Sequence, residues 1–365
     1  MVTAEKLKEM QGYSPEFKHH LSVSKLYQAC LKTGYKIAVS FSGGKDSTVL
    51  LDITARVWSK NRKDHGDIPL TVVYANTSNE FSGMEVFVRQ YCAYIGQKHG
   101  IGIDLHVVRG EQTYYDVLRT EGYPVASKKT ARKVREVRSW LQESGVQWDD
   151  IKGRLKDGIQ SANMLRAMGA PDTVVLDLTG ITSDNTVSRY NKLALRWRPL
   201  ITAPFKVSEK CCDILKKAPI KIIERELGLS PVIAEMASDS EIRKHSYLQT
   251  GCNAFKGNHV KSKPMGFWRE QDVLWYIDRY KLPTAPMYGD LVRQADGTLK
   301  FSGEQRTGCK LCLFGCQFDP ERLERLKGRE PQTVDFALRG LAQGGLGYRE
   351  VVEYINENCK CKMKI

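Results

Sequence analysis

Glycine, hydroxyl and charged side chains stand together in one short run whose composition suits the binding of phosphate. The run is Ser42-Gly43-Gly44-Lys45-Asp46-Ser47. Two glycines let the backbone adopt positive φ angles and approach a ligand closely, and the start of a following helix presents unpaired N–H groups. The serine hydroxyls add donors, and Lys45 adds a mobile positive charge. The run therefore predicts a phosphate-binding loop.

The residues on either side predict the elements that position this loop. An apolar, β-branched run over residues 36–41 precedes it, and apolar residues at helical spacing follow it. This pattern predicts a strand, a tight turn and a helix. The common NTPase loop G-x-x-x-x-G-K-[ST] is excluded, because it would need glycine where the chain has Val39.

The loop resembles the S-G-G-x-D-S signature of the PP-loop ATP pyrophosphatase superfamily. Further segments are similar to the phosphoadenosine phosphosulfate (PAPS) reductase family of that superfamily. Residues 211–219 resemble its C-C-x-x-x-K-x-x-P element, residues 267–277 resemble its W-T-x-x-D-V-x-x-Y-I helix, and Ser240 and Arg243 match positions of its G-x-R-x-x-E-S-x-x-R element.

The resemblance implies an α/β fold, a doubly wound and mostly parallel sheet, followed by a helical, cysteine-rich C-terminal part. It also implies that an adenine nucleotide, ATP or alternatively PAPS or adenosine phosphosulfate, binds beyond the carboxyl ends of the strands. The residues expected to contact the nucleotide are Ser40, Ser42, Gly43, Gly44, Lys45, Asp46, Ser47, Asn76, Thr77, Ser240 and Arg243.

Clustered cysteines indicate a metal centre. The adjacent pair Cys211 and Cys212 and the C-x-x-C hook Cys309 and Cys312 supply four thiols. They are similar to the C-C…C-x-x-C arrangement with which assimilatory sulfonucleotide reductases hold a [4Fe-4S] cluster. Zinc on the same ligands and a metal-free dithiol are the alternatives. Cys252 or Cys316 could replace a member of the vicinal pair.

The last two cysteines are candidates for a nucleophile. Sulfonucleotide reductases carry a nucleophilic cysteine in a mobile tail, commonly within E-C-G-[IL]-H, and that motif is absent here. Cys359 and Cys361 are flanked by lysines, which favour the thiolate. Either could act as a substitute nucleophile, and a frayed tail is the alternative interpretation.

The intact loop favours ATP, so the resemblance implies adenylation of a sulfur acceptor. The glycines and serines would hold pyrophosphate, Lys45 would neutralise developing charge, and Asp46 would orient the loop or Mg²⁺. A persulfide or a cluster-bound sulfide would then attack the adenylate, and nucleic acid is one candidate acceptor. The alternatives are thiol-dependent reduction of PAPS or adenosine phosphosulfate to sulfite, and a non-catalytic nucleotide-binding subunit. The partners are accordingly a sulfur donor protein or a thioredoxin-like reductant, and a homodimer is also compatible.

The chain of 365 residues is long enough for one large α/β domain with an appended unit. We predict a helical segment at 1–34, a PP-loop domain at 35–285 with a basic insert at about 109–205, and a cysteine-rich, helical region at 286–365. Further strands are expected at 70–74, 103–108, 173–180 and 231–236. No apolar leader or membrane span is visible, so we expect a cytoplasmic protein.

The formal net charge of +14 indicates anionic partners. Lys128, Arg132 and Arg135 fall on one face of a predicted helix, where they form either an anion-binding wall or a solvated charged face. Trp140 and Trp148 are available for stacking on nucleic acid in the first interpretation.

Overall fold

The computed structural model of the protein describes residues 2–155, 158–256 and 259–365. Its contacts divide the chain into two compact units. Unit 1 comprises Met1–Glu111 and Leu215–Cys309, and unit 2 comprises Gln112–Ile214 and Lys310–Ile365. This division differs from the three ranges predicted from the sequence, because most of the predicted insert packs with the C-terminal part in unit 2.

The strands of the described residues are β1 Ile37–Ser40, β2 Leu70–Asn76, β3 Ile103–Arg109, β4 Val125–Ala126, β5 Ser230–Val232, β6 Asn253–Lys256, β7 His259–Ser262, β8 Leu291–Arg293, β9 Leu299–Phe301 and β10 Leu313–Phe314. Strands β4 and β10 pair with each other in unit 2, and the remaining strands belong to unit 1.

The α-helices of the same residues are α1 Ala4–Gln11, α2 Pro15–Thr33, α3 Lys45–Lys60, α4 Arg62–His65, α5 Met84–His99, α6 Tyr114–Thr120, α7 Lys128–Ser144, α8 Trp148–Lys152, α9 Gly158–Ala167, α10 Asp172–Thr179, α11 Ala218–Glu226, α12 Glu241–Thr250, α13 Glu270–Tyr280, α14 Arg322–Arg329, α15 Pro331–Leu338 and α16 Tyr348–Cys359. Helices α6 to α10 and α14 to α16 belong to unit 2.

Unit 1 is built on a six-stranded sheet in the order β3-β2-β1-β5-β7-β6. All neighbours are parallel except β6, which runs antiparallel to β7. The order reverses at β1, between β2 on one side and β5 on the other, and such a switch point leaves a crevice at the carboxyl ends of the strands. The predicted α/β, doubly wound and mostly parallel sheet is confirmed.

Burial explains why the central strand forms where the sequence predicts it. Ile37, Ala38 and Val39 are at most 1% exposed. A strand covered on both faces reads as a continuous apolar run rather than an alternating one. Helix α3 then begins at Lys45, directly after Gly44 at its N-cap. The predicted strands at 70–74 and 103–108 are also present, as β2 and β3, and each extends slightly further.

The predicted strand at 173–180 is wrong, because this segment forms helix α10 in unit 2. Pro171 stands at its N-cap, and Gly180 ends it with a φ of 77°. The buried residues Val174, Val175 and Leu178 lie on one helical face. A short apolar run cannot be assigned to strand or helix by periodicity alone, and here packing against α7 and α9 selects the helix.

The strand predicted at 231–236 is shorter than expected. Strand β5 ends at Val232, and the Glu235 N–H then donates to the carbonyl of Ile233 over 3.1 Å in a tight turn. At the other end of the chain, α14, α15 and α16 provide the expected helical C-terminal part. Across the described residues, no helix combines the length and apolar character needed to cross a membrane.

Candidate functional site

The predicted phosphate-binding loop connects β1 to α3 in unit 1. Gly43 has a φ of 71°, and a Cβ there would lie 2.4 Å from Met84 Sδ, so this position requires glycine. The Ser42 N–H donates to Ser47 Oγ over 3.2 Å, and Ser47 Oγ donates to the Gly44 carbonyl over 2.9 Å. These bonds hold the loop against the first turn of α3, while Ser40 ends the preceding strand.

Two hydroxyls from a later part of unit 1 lie against this loop. The Lys45 N–H donates to Tyr288 Oη over 2.9 Å. A Cβ on Gly44 would lie 3.0 Å from Thr307 Oγ1 and 3.6 Å from Tyr288 Oη. Tyr288 ends a 3₁₀ turn, and its ring stacks on Phe301 with centroids 4.6 Å apart. An oxygen thus already accepts a hydrogen bond at a helix N-terminus, where an anion would bind.

Lys45 is buried in a polar environment, with 5% of the residue exposed. Its Nζ lies 3.1 Å from the Gln305 carbonyl, 3.2 Å from Glu270 Oε1 and 3.9 Å from Asp46 Oδ1. Burial by itself lowers the pKa of Lys45, but the charge of Asp46, Tyr288 and Glu270 outweighs it, and the pKa is raised. The ammonium therefore keeps its charge at neutral pH.

Asp46 combines burial with carboxylate neighbours. Burial raises the pKa of Asp46, Lys45 lowers it, and Asp239 and Glu270 raise it further, so the net shift is upward. Its Oδ1 is buried and has no hydrogen-bond partner. A carboxylate oxygen in this state suits a hard cation such as Mg²⁺. Within the described ranges, however, no group of three His, Cys, Asp or Glu side chains is arranged to hold a metal ion.

The segment around Ser240 also reaches the loop, through Asp239. Ser240 is the N-cap of α12, and its Oγ accepts the Arg243 N–H over 3.3 Å. The Arg243 guanidinium pairs with Asp239 and lies 3.9 Å from Glu235. Both predicted nucleotide contacts are thus engaged in helix capping and ion pairing, and Asp239 is near enough to Asp46 to raise its pKa.

The polar run after β2 has its own internal partners. Asn76 Nδ2 donates to Glu85 Oε2 over 2.8 Å, and the Thr77 N–H donates to the carboxylate of Glu80. Thr77 Oγ1 also lies 3.8 Å from Cys309 Sγ. A predicted cluster ligand therefore stands beside a predicted nucleotide contact within unit 1.

The other three predicted cluster ligands lie in unit 2, and two of them share neighbours. The hydroxyls of Tyr114 and Tyr348 are 2.6 Å apart. Burial raises the pKa of both hydroxyls well above the usual value, and the Cys312 and Cys211 thiols raise it further. Cys211 and Cys312 therefore lie near the same tyrosine pair.

Cys212 has a cation beside it. A π-helix over Asp213–Lys217 follows the vicinal pair directly, and such turns are frequent at functional sites. Burial lowers the pKa of Lys128, but the charge and hydrogen bond of Cys212 outweigh it, so the pKa is raised. In general, a lysine ammonium beside a thiol favours the thiolate form.

The alternative ligands and the candidate nucleophiles have other partners. Cys252 Sγ lies 3.6 Å from Tyr247 Oη in unit 1, whereas Cys316 Sγ lies 4.0 Å from Cys361 Sγ in unit 2. Burial raises the pKa of Cys359 to about 12, and the hydrogen bond with Cys316 lowers that of Cys361 to about 7. Cys359 and Cys361 are 0% and 6% exposed, so both side chains are packed, which disagrees with the alternative interpretation of a frayed tail.

The basic face of α7 is largely neutralised within unit 2. Arg135 pairs with Glu209 over 2.7 Å, and Arg132 pairs with Glu136 and lies 3.5 Å from Asp177. Trp140 is only 5% exposed and belongs to the core, so it is not available for stacking on a ligand. These contacts agree better with a charged structural face than with an anion-binding wall.

Several residues of the loop's surroundings were not predicted from the sequence. Tyr288, Gln305 and Thr307 contact it, Arg306 is near enough to lower the pKa of Asp46, and Glu270 pairs with Lys45. The available signal was the polar run Gln305-Arg306-Thr307, which Gly308 separates from the C-x-x-C hook. Tyr288 gives no local signal, because it lies 243 residues from Lys45.

The parallel sheet, its switch point and the glycine loop at the start of α3 define a doubly wound α/β fold with a glycine-rich loop at the carboxyl end of its central strand. Residues 36–150 match the family described as the phosphoadenosine phosphosulfate reductase domain. This segment includes β1, the phosphate-binding loop, α3, β2 and β3.

Comparison with solved structures finds similarity to a PAPS reductase from Candida auris in a phosphate complex. The two are 13% identical, and the match covers 82% of this chain and 98% of that one, with a TM-score of 0.35. A similarity of this strength adds nothing to the fold established above. Among curated proteins, none matches the chain.

Proposed function

We propose that the protein binds ATP at the PP-loop and adenylates an acceptor as the first step of a sulfur-transfer reaction. The observation that carries this proposal is the intact loop. Gly43 has the positive φ and close approach that the loop requires, and Lys45 is buried and charged at the N-terminus of α3. The N–H groups and hydroxyls of such a loop suit phosphate groups, and the resemblance to the S-G-G-x-D-S signature implies pyrophosphate.

In the first step, an oxygen of the acceptor attacks the α-phosphorus of ATP, the bond to the bridging oxygen breaks, and pyrophosphate leaves. Ser42, Gly43, Gly44 and Ser47 hold the departing pyrophosphate, and Lys45 neutralises the charge that develops on the bridging oxygen. In the second step, a sulfur nucleophile delivered by a persulfide donor protein displaces AMP from the adenylate. This attack leaves the acceptor sulfur joined to the donor cysteine by a disulfide. Two electrons from a thiol reductant then cleave the S–S bond, free the donor thiol and leave sulfur on the acceptor in place of the activated oxygen.

Mg²⁺ fits this loop through Asp46. Its buried Oδ1 lacks a hydrogen-bond partner, and Asp239 and Glu270 are close enough to influence its pKa. Held by Asp46, Mg²⁺ would supply positive charge that stabilises the negative charge of the phosphate groups. Within the chain itself, Lys45 Nζ lies 3.9 Å from Asp46 Oδ1 and 3.2 Å from Glu270 Oε1.

A [4Fe-4S] cluster fits the donor chemistry of Cys211, Cys212, Cys309 and Cys312. Cys211 and Cys312 lie near the same tyrosine pair, and Lys128 stands beside Cys212. Such a cluster supplies electron-transfer or Lewis-acid chemistry when bound. Cys252 and Cys316 are less suited as replacements, since their thiols lie against Tyr247 and Cys361.

Reduction of PAPS or adenosine phosphosulfate to sulfite is the second candidate, and the family match favours it. This reaction needs a cysteine that attacks sulfur and a thioredoxin-like reductant that regenerates it. The burial of Cys359 and Cys361 is the observation that ranks it below adenylation.

The experiment that tests the proposal is ATP–pyrophosphate exchange by anaerobically purified protein, assayed with candidate acceptors such as tRNA and duplex DNA. The excess of positive charge makes nucleic acid the first acceptor class to try. PAPS reduction with thioredoxin is assayed in parallel. We expect exchange that depends on the acceptor and no sulfite. Sulfite formation without exchange would favour the reductase instead.

A further inference from the structure

Three thiols and one guanidinium lie together in unit 2, apart from the proposed cluster ligands. Cys316 Sγ and Cys361 Sγ are 4.0 Å apart. Arg196 Nη2 lies 3.9 Å from Cys361 Sγ. Cys361 is also close enough to Cys359 to raise the pKa of the Cys359 thiol. Cys316, Cys359 and Cys361 are 3%, 0% and 6% exposed, whereas Arg196 reaches the surface.

Backbone hydrogen bonds hold the two facing cysteines in place. Cys316 follows β10, and its N–H donates to the Leu313 carbonyl over 3.2 Å. Cys361 follows α16, and its N–H donates to the Ile355 carbonyl over 3.3 Å. Asn356 then makes two bonds of 2.9 Å to the backbone of Met363. These hydrogen bonds fix the backbone at both cysteines, so the two thiols face each other in an ordered part of unit 2.

We propose that Cys316 and Cys361 form a redox-active dithiol that a peroxide oxidises to a disulfide. The sulfur atoms must approach from 4.0 Å to about 2.05 Å, a movement within the reach of side-chain rotation and a small backbone shift. Arg196 stabilises the Cys361 thiolate, which makes Cys361 the attacking sulfur.

The chemistry balances with peroxide as the only co-reactant. The Cys361 thiolate attacks one peroxide oxygen, the O–O bond breaks, and a sulfenic acid and a hydroxide form. The Cys316 sulfur then attacks the sulfenic sulfur, and the departing hydroxide takes up a proton as water. Overall, two thiols lose two electrons and two protons, one peroxide is reduced, and two waters form.

The disulfide would change unit 2 itself. It would tie the segment after α16 to the segment after β10, across 45 residues of chain. Because β10 pairs with β4, this bond would link the C-terminal segment to a small sheet that already holds two distant parts of the chain together. A dithiol reductant would reverse it. The site thus provides a reversible disulfide cross-link within unit 2, and its formation does not depend on the proposed adenylation.

The test uses the full-length protein as purified, treated anaerobically with one equivalent of hydrogen peroxide. Remaining thiols are then alkylated under denaturing conditions, and disulfide-linked peptides are mapped by mass spectrometry. We expect a Cys316–Cys361 linked peptide as the main product, with a loss of about 2 Da, one hydrogen from each of two thiols. The link should disappear on treatment with dithiothreitol.

Variants identify the two partners. Cys361→Ser and Cys316→Ser should each abolish the linked peptide, whereas the matched variant Cys359→Ser should retain it. Arg196→Gln should slow its formation, since fewer Cys361 thiolates would be present. Circular dichroism checks that the variants are folded.

A dominant Cys359–Cys361 link would overturn the proposal. Oxidation of Cys361 to sulfinic acid in the wild type, without a disulfide to Cys316, would also overturn it. This second result does not depend on the folding of any variant. Both readouts are independent of ATP turnover, so failure here and failure of the proposed adenylation are distinguishable.

Discussion

The hydroxyl of Tyr288 accepts the Lys45 N–H over 2.9 Å at the start of α3, where a phosphate oxygen would accept it in the proposed complex. A bound phosphate must therefore displace this hydroxyl. The stacking of the ring on Phe301 fixes the tyrosine independently of its hydroxyl, so the two contributions can be separated by mutation.

We predict that Tyr288→Phe binds ATP about fivefold more tightly than the wild type, because one neutral hydrogen bond is worth about 1 kcal/mol. Calorimetric titration at equal Mg²⁺ concentration measures the change. Tyr27→Phe is the matched control, since its exposed hydroxyl bonds to Asp64 and not to the loop. Weaker binding by Tyr288→Phe would mean that the hydroxyl contacts the nucleotide rather than competing with it.

At the scale of single residues, the sequence predicted local features and missed distant ones. The bonds among Ser42, Gly44 and Ser47 connect residues within one turn, so the motif already contains them. Tyr288 and Thr307 reach the same loop only after the chain has folded, and no local pattern marks them.

At the scale of elements, Asp52 connects three helices of unit 1. It lies on α3, is completely buried, and accepts hydrogen bonds of 2.8 to 2.9 Å from Lys98 and His99 of α5 and from Tyr276 of α13. Burial alone raises the pKa of Asp52, but these donors outweigh it and lower the pKa to about 2. The helix whose first turn forms the PP-loop is thus held by a buried charge.

We predict that Asp52→Asn lowers the free energy of unfolding at pH 7 by about 2 kcal/mol, from the linkage between a lowered pKa and stability. A carboxyl whose pKa is lowered on folding contributes fully above its unfolded pKa and loses this contribution as pH falls through its folded pKa. The difference between variant and wild type should therefore shrink from about pH 4 to about pH 2.

Urea unfolding across this pH range measures the effect. Asp67→Asn serves as the control, because its side chain is 67% exposed and should show little change. A stability gap that stays constant down to pH 2 would contradict the assigned role of Asp52.

Strands of the parallel sheet were predictable because burial on both faces gives continuous apolar runs, as in β1 and β2. The same reasoning failed for α10. Its valines and leucine are equally apolar and its length is similar, and only its packing against α7 and α9 determines that it is a helix.

At the scale of the whole molecule, Cys309 belongs to unit 1, and Cys211, Cys212 and Cys312 belong to unit 2. The sequence identifies these cysteines by their spacing. It gives no sign that unit 2 is assembled from the insert and the C-terminal part, because that depends on pairing between β4 and β10, which are far apart in the chain.

We predict that anaerobically isolated protein contains about four irons per chain, as a four-thiolate [4Fe-4S] site requires. Replacement of Cys309 and Cys312 by serine should remove the iron, whereas Cys30→Ser, at a buried position on α2, should retain it. Elemental analysis of the three proteins measures this. Stoichiometric zinc without iron, or full iron content in the double variant, would contradict the proposed ligand set.

The most direct test of the central claim is to measure the affinities of ATP, AMP and PAPS for the wild type and for Gly44→Val. A side chain at position 44 would begin 3.0 Å from Thr307 Oγ1 and 3.3 Å from Ser42 Oγ, whereas Gly153→Val, the control, meets nothing within 4 Å. We predict that the wild type and the control bind ATP at least about tenfold more tightly than AMP or PAPS, a difference of about 1.4 kcal/mol, and that folded Gly44→Val loses ATP binding. Preferred binding of PAPS, or unchanged ATP affinity in folded Gly44→Val, would contradict the assignment of an ATP-binding PP-loop.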